Sequence, residues 1–197
     1  MTELYNRLYA LFSPVTKRAR EYSLALTERY ANAYGIASAD TDELTEALFG
    51  DRSSALLLKL AVSLNARRVT DSFKFGQAHT DGAICEYFRH LFLPLSVETV
   101  YIMCFDGEGR VISCDFVGEG TVNRSSVFSR KLIEIAMKRS AKQVIVAHNH
   151  PHGDADFSKE DRAATASISI LLSGVGILLK AHYLIAEDVC HELSIVE

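Results

Sequence analysis

The chain predicts an α/β fold preceded by a helical segment, and three observations carry that prediction. From about residue 98 onward, short apolar β-branched runs alternate with stretches whose apolar residues recur at helical spacing, as strands interleaved with helices do. Residues 1 to about 70 hold helical patterns only. With 197 residues, 48% of them apolar, the chain has the material for one medium domain plus a small helical appendage.

The elements follow in order. The opening stretch MTELYNRLYALF is amphipathic; it carries a glutamate and lacks the basic start and cleavable apolar run of a signal peptide. Glu21 to Ala33 has a helical pattern expected to end near Gly35. Asp40-Thr41-Asp42-Glu43 reads as a helix start, because acids favour the positive end of the helix dipole. Ser53-Ser54 opens a further helix through Ala55 to Ala61 that runs on to Arg67-Arg68. Thr70 to Thr80, polar and containing Gly76, reads as a linker. Asp81 to Phe92 sets Ile84, Tyr87, Phe88 and Leu91 on one helical face, and Pro94 ends it. Strands are expected at about 98–106 and 110–117, joined by the hairpin turn Asp106-Gly107-Glu108-Gly109. A helix at about 126–140, a strand through Val144-Ile145-Val146-Ala147 and a helix at about 158–173 come next. Gly174 and Gly176 punctuate the chain before strands at about 177–186 and 190–196.

Composition narrows the function classes. A net charge of −4 argues against a strongly nucleic-acid-binding surface. No run of eighteen apolar residues occurs, so no membrane span is expected. Cys85, Cys104, Cys114 and Cys190 are scattered without a Cys-x-x-Cys pair, which reads as reduced thiols of a cytoplasmic protein rather than a zinc knuckle.

The chemistry concentrates in HNHPHGDADFSKED, residues 148–161. His148 and His150 stand where the 144–147 strand ends, and side chains two apart in extended chain point the same way. Both imidazoles can therefore face one ion. Pro151 stops the strand, and Gly153 with Asp154 supplies turn chemistry. Ser158 reads as the N-cap of the next helix, with Glu160 and Asp161 in its first turn, so Asp161 can point back toward the strand end. Two imidazoles and one carboxylate suit zinc and leave a fourth tetrahedral position for water, the arrangement that separates a catalytic zinc site from a structural one. His152 is a surplus imidazole, expected to face solvent, since a further ligand would close that position.

These residues resemble the signature of the JAMM (MPN+/JAB) metalloprotease domain, HxHP-x(6)-S-x(2)-D, and the fuller form resembles the bacterial RadC proteins in particular. Gly120-Thr121-Val122-Asn123, the helix from Phe128 to Ala141, and Ala181-His182-Tyr183-Leu184-Ile185 extend the likeness, which covers about residues 76–197 well and the N-terminal part loosely. Ala181 stands where the family usually has an aspartate, and Asp156-Phe157 where it has Thr/Glu-Pro; neither removes a ligand. The resemblance implies a three-layer, cytidine-deaminase-like JAMM/MPN domain over 76–197. It also implies a degenerate helix-hairpin-helix in residues 1–70, whose turn would be Phe49-Gly50-Asp51-Arg52-Ser53. One glycine is missing there and an acid occupies the turn, which impairs approach to phosphate, so direct DNA binding is doubtful.

The resemblance further implies an upstream catalytic glutamate, placed at Glu98, with Asp115 and Glu119 as rivals. The expected activity is that of a zinc metallohydrolase cleaving a peptide or isopeptide amide. His148, His150 and Asp161 would hold Zn²⁺, Glu98 would act as general base, and Ser158 would donate to the developing oxyanion. Three other readings stand beside it. A DNA-repair-associated accessory protein would carry a structural or vestigial metal site. A zinc nuclease would commonly need two metals, and carboxylates for only one are found. A cytidine-type deaminase would need a Pro-Cys-x-x-Cys motif that is absent.

Overall fold

A computed structural model describes residues 2–120, 126–151 and 155–193. Eight helices and five strands are found among them: α1 (Glu3–Phe12), α2 (Ala19–Arg29), α3 (Ala33–Ser38), α4 (Thr41–Ala47), α5 (Arg52–Ser72), α6 (Asp81–Phe92), β1 (Thr99–Phe105), β2 (Val111–Glu119), α7 (Ser126–Lys138), β3 (Gln143–Asn149), α8 (Lys159–Ser173), β4 (Leu178–Ala186) and β5 (Val189–Leu193). The strands form one sheet in the order β2-β1-β3-β4-β5. Only the β3–β4 pair is parallel; the remaining pairs are antiparallel.

Alternation along β3 divides the core. Val144 and Val146 face α7 and α8, where they pack with Ile102, Leu132, Ala136, Ile168 and Leu172. Ile145 and Ala147 face α6 and meet Ile84, Phe88, Phe92, Met103 and Tyr183. Covered on both faces, β3 is apolar throughout its interior, as a central strand must be. The result is a three-layer α/β/α arrangement, consistent with an MPN fold.

The N-terminal helices enclose a core of their own, in which Leu8, Phe12, Tyr22, Leu26, Ile36, Leu44, Leu48 and Leu58 are buried. Lys59 ties it to the layers below. Its ammonium donates to the carbonyls of Ala37 and Ala39 at 2.8 Å and of Pro94 at 3.1 Å, and burial holds its pKa below the usual lysine range.

Three expectations change. The helix expected to end near Gly35 stops at Arg29, and Asn32 caps a separate α3 by accepting from the Gly35 amide. Gly35 thus sits in a first turn rather than past a last one. The 70–80 linker begins inside α5, which runs to Ser72, and its largely exposed remainder is tied to the sheet: Gly76 donates to the Val111 carbonyl, Ala78 bridges Arg110, and Phe73 stacks on His79 with ring centroids 4.0 Å apart. Finally, Cys85 and Cys190 form a disulfide with Cα atoms 5.8 Å apart, leaving Cys104 and Cys114 as the free thiols. The expectation of four reduced thiols is corrected, and with it cysteine usage ceases to argue for a compartment. The packing of α6 on the β5 side of the sheet brings the pair together across 105 residues, which spacing alone could not reveal. No helix among the described residues is long and apolar enough to cross a membrane.

Candidate metal centre

The site lies where β1 begins and β3 ends. Val100 pairs with His148, so the residue before β1, Glu98, lies beside the strand end that carries the histidines. His148 is buried on the same face of β3 as Val144 and Val146. His150 lies one step past the strand, its amide still donating to the Ile185 carbonyl at 3.0 Å, which extends the β3–β4 ladder far enough to aim its ring at His148. The two Nε2 atoms are 3.2 Å apart.

Asp161 completes the group from the first turn of α8. Its carboxylate oxygens lie 3.5 Å from His148 Nε2 and 3.8 Å from His150 Nε2. Ser158 fixes it through a capping box: the Ser158 amide and hydroxyl donate to Asp161 Oδ2 at 2.8 and 2.6 Å, and the Asp161 amide donates back to Ser158 Oγ at 3.0 Å. One ligand atom from each of Glu98, His148, His150 and Asp161 falls within 4.8 Å of the others. Such a set could hold a metal ion, and the donor chemistry, two imidazoles with carboxylates, fits one.

Of the three candidate carboxylates, only Glu98 joins this cluster among the described residues. Asp115 faces elsewhere: Arg139 Nε donates to it at 3.0 Å and the Ser113 hydroxyl at 2.6 Å. Burial opposes its ionisation, but those bonds outweigh burial and hold its pKa below the usual carboxylate range. Glu119 pairs with Thr99 at the exposed end of β2. Ser158, expected as an oxyanion donor, spends its hydroxyl on Asp161 here. His152 and most of the 120–123 turn lie outside the described residues.

Sequence reasoning assigned no role to three residues that the fold brings to the site. His182, on β4 beside Val146, meets His148 Nδ1 through Nε2 at 2.9 Å. Its own Nδ1 lies 2.6 Å from the Thr165 hydroxyl, which donates to the Asp161 carbonyl at 2.6 Å. Full burial, and then the charge of His148, push the His182 pKa well down, so the ring is neutral. Because this contact engages His148 Nδ1, it is Nε2 that could serve a metal ion. Asn149, between the two histidines and fully buried, braces the glutamate: its Oδ1 accepts from the Thr99 amide at 2.8 Å and its Nδ2 donates to the Val97 carbonyl at 3.2 Å. Those are the residues on either side of Glu98. A histidine in an otherwise apolar strand and a polar residue at a strand end were the available signals, but their partners are 17 to 52 residues away in sequence.

Phe157 covers the pair, with its ring centroid 5.7 Å from His148 and 5.3 Å from His182. It is buried with Leu184 and Ala186 and closes this side of the cluster to solvent.

Comparison with known proteins agrees with the fold. A family model described as RadC-like JAB domain matches residues 79–195, more than half of the chain. A UPF0758 protein of Photobacterium profundum is 28% identical over 131 residues, 66% of this chain and 58% of that protein. A UPF0758 protein of Bordetella petrii is 29% identical over 164 residues, covering 83% and 73% respectively. A third, from Symbiobacterium thermophilum, is 33% identical over 105 residues, 53% of this chain and 45% of that protein. The match thus spans 58% of the length of the first of these relatives and less than half of the third.

Proposed function

This chain belongs to the RadC-like JAB family, and from that premise we propose that it is a zinc-dependent hydrolase of peptide or isopeptide amides. The observation that carries the reading is the convergence of four ligand-type atoms from three separate elements on one point. Four such groups drawn to a common centre, two of them imidazoles and two carboxylates, suit an ion.

His148, His150 and Asp161 would hold the metal, with His182 setting the tautomer of His148 and Ser158 the orientation of Asp161. Zinc held there would supply Lewis acidity and a water whose pKa is lowered to about 7. Glu98 would take the proton from that water as its oxygen attacks the carbonyl carbon. When the C–N bond breaks, the same carboxylate would return the proton to the leaving amine. Ser158 would turn its hydroxyl from Asp161 toward the oxygen that gains charge, adding a neutral donor where the transition state needs one. Asn149, by clamping Val97 and Thr99, would keep Glu98 within reach.

The test is metal content of the purified chain followed by hydrolysis of a peptide and isopeptide panel, before and after chelation and zinc return. About one zinc per chain and activity that leaves and returns with it are expected. A chain that binds no divalent metal, or whose hydrolysis is unaffected by chelation, would sink the reading.

A further inference from the structure

We propose that the cleft between the N-terminal helices and the β4–β5 turn holds the stretch of a peptide substrate next to the scissile amide, and selects a Lys or Arg side chain there. The proposal rests on the hydrolase reading above for the word substrate, but its binding test does not.

The cleft has a volume of about 330 Å³ and is shared by both halves of the chain. Tyr30, Tyr34 and Glu43 line it from α2–α4, Glu187 from the β4–β5 turn, and His150 with Pro151 from the metal centre. A ligand seated in it would therefore touch a proposed zinc ligand at one end.

Two features point to what binds. Tyr34 is 6% exposed, and its hydroxyl is buried with no hydrogen-bond partner among the described residues. A buried phenol without a partner is costly, and one that belongs to the lining of a cleft is explained by a ligand that supplies the partner. Peptide carbonyls and amides do so. Among the described residues the charged lining is of one sign, Glu43, which also accepts from the Asp40 amide, and Glu187, with no Lys or Arg. Burial, and then the charges of Asp188 and Glu187, push the Tyr34 phenol up to about 12, which places its ring close to that turn and keeps it a donor at neutral pH.

The walls are held in place. Lys59 fixes the α3 end to the Pro94 carbonyl, and Arg89 on α6 holds Asp188 through Nη2 at 2.8 Å. Glu187 itself adopts φ 49° and Asp188 φ 63°, left-handed backbone that a hairpin turn usually gives to Asn or Gly. A glutamate occupies that position and lines the cleft.

The test uses the full chain carrying Glu98→Gln, so that bound peptide would not turn over, with and without added zinc. Fluorescein-labelled hexapeptides that differ at one position, Lys, Arg, Ala or Glu, are titrated by anisotropy. The Lys and Arg peptides are expected to bind about tenfold more tightly than the Glu peptide, a difference that shrinks as salt rises. Glu187→Lys should reverse the order. Tyr34→Phe should raise the melting temperature, because a buried unpaired hydroxyl is removed, and at the same time weaken peptide binding several-fold. Equal affinity for all peptides, no binding of any, or an order unchanged by Glu187→Lys would overturn the proposal. Absence of zinc-dependent hydrolysis in the unmutated chain would overturn the hydrolase reading instead and leave this binding result to stand or fall by itself.

Discussion

The end of β3 and the α4–α5 hairpin are both turns rich in polar side chains, and they treat those side chains in opposite ways. In the hairpin the groups satisfy one another. Asp51 caps α5 by accepting from the Ser54 amide at 3.1 Å, and also accepts from the Ser54 and Tyr22 hydroxyls, each at 2.8 Å. Those bonds, the Ser54 amide first, hold its pKa below the usual carboxylate range. Arg52 is paired with Asp42. At the end of β3, His148 and His150 are joined by Glu98 from just before β1 and Asp161 from α8, and the four gather at one centre. The contrast teaches that charge and polarity in a turn do not by themselves mark function. The hairpin is a well-capped joint whose acid stands in the turn, and the strand end gathers a group that could hold a metal ion.

The largest effects should come from breaking that group. Full loss of the bound zinc is expected for His148→Ala, and for Asp161→Asn, which removes charge yet can still accept at the cap; atomic absorption on the purified variants reads it. Asp51→Ala, the matching lesion in the hairpin, should leave metal content unchanged. Zinc retained at full occupancy by the His148 and Asp161 variants would show that the two turns are alike after all.

Next is the proton carrier. Glu98→Gln should keep the metal and lower turnover by about 10²–10⁴-fold, since an amide cannot accept the water's proton. Asp115→Asn, which only breaks the pairing with Arg139, should leave turnover intact. If the Asp115 variant is the inactive one, the base has been misassigned.

Ser158 sharpens the comparison because it belongs to both types. It is a cap like Asp51 and a neighbour of the four-residue group. For Ser158→Ala a loss of about 1 kcal/mol in unfolding stability is expected from the cap alone. If the hydroxyl also serves the oxyanion, turnover should fall about a hundredfold or more. Ser158→Asp restores a cap but repels an oxyanion; hydrolysis at the unmutated rate in that variant would reduce Ser158 to a cap.

The smallest effect is expected in the hairpin. Asp51→Ala should cost about 1 kcal/mol by denaturant unfolding, through the lost cap. DNA affinity, measured across a salt series, should be weak in both proteins and unchanged by the substitution. Tight, strongly salt-dependent binding in either would return the hairpin to the role of a phosphate-binding element.

Much of the fold was legible because it is written locally. The apolar β-branched run of β3, the helical period from Asp81 to Phe92, and the Asp-Gly-Glu-Gly turn each lie within a dozen residues, and these elements sit within a residue or two of where pattern put them, whereas α2 stops four residues short of Ala33 and α5 runs four residues past Arg68. The same holds for the core of the candidate site, because His148, His150, Ser158 and Asp161 are close in sequence and the strand-then-cap pattern orients them. The fate of Gly35 was misread because a glycine past a helix and one inside a first turn look alike until the Asn32 cap is seen.

By itself, then, the sequence determined the α/β class, the order of its strands and helices, and the two histidines, the capping serine and the aspartate of one short segment, because backbone period and capping chemistry act over a few residues. Only the tertiary structure decided what depends on sheet order and layer packing. The pairing of β1 with β3 brought Glu98 rather than Asp115 or Glu119 to the cluster. The parallel β3–β4 pair put His182 behind His148, the packing of α6 joined Cys85 to Cys190, and the seating of α2–α4 set Tyr34 opposite Glu187. Each of these is a contact between residues far apart in the chain, and no local preference specifies which distant neighbour a side chain will meet.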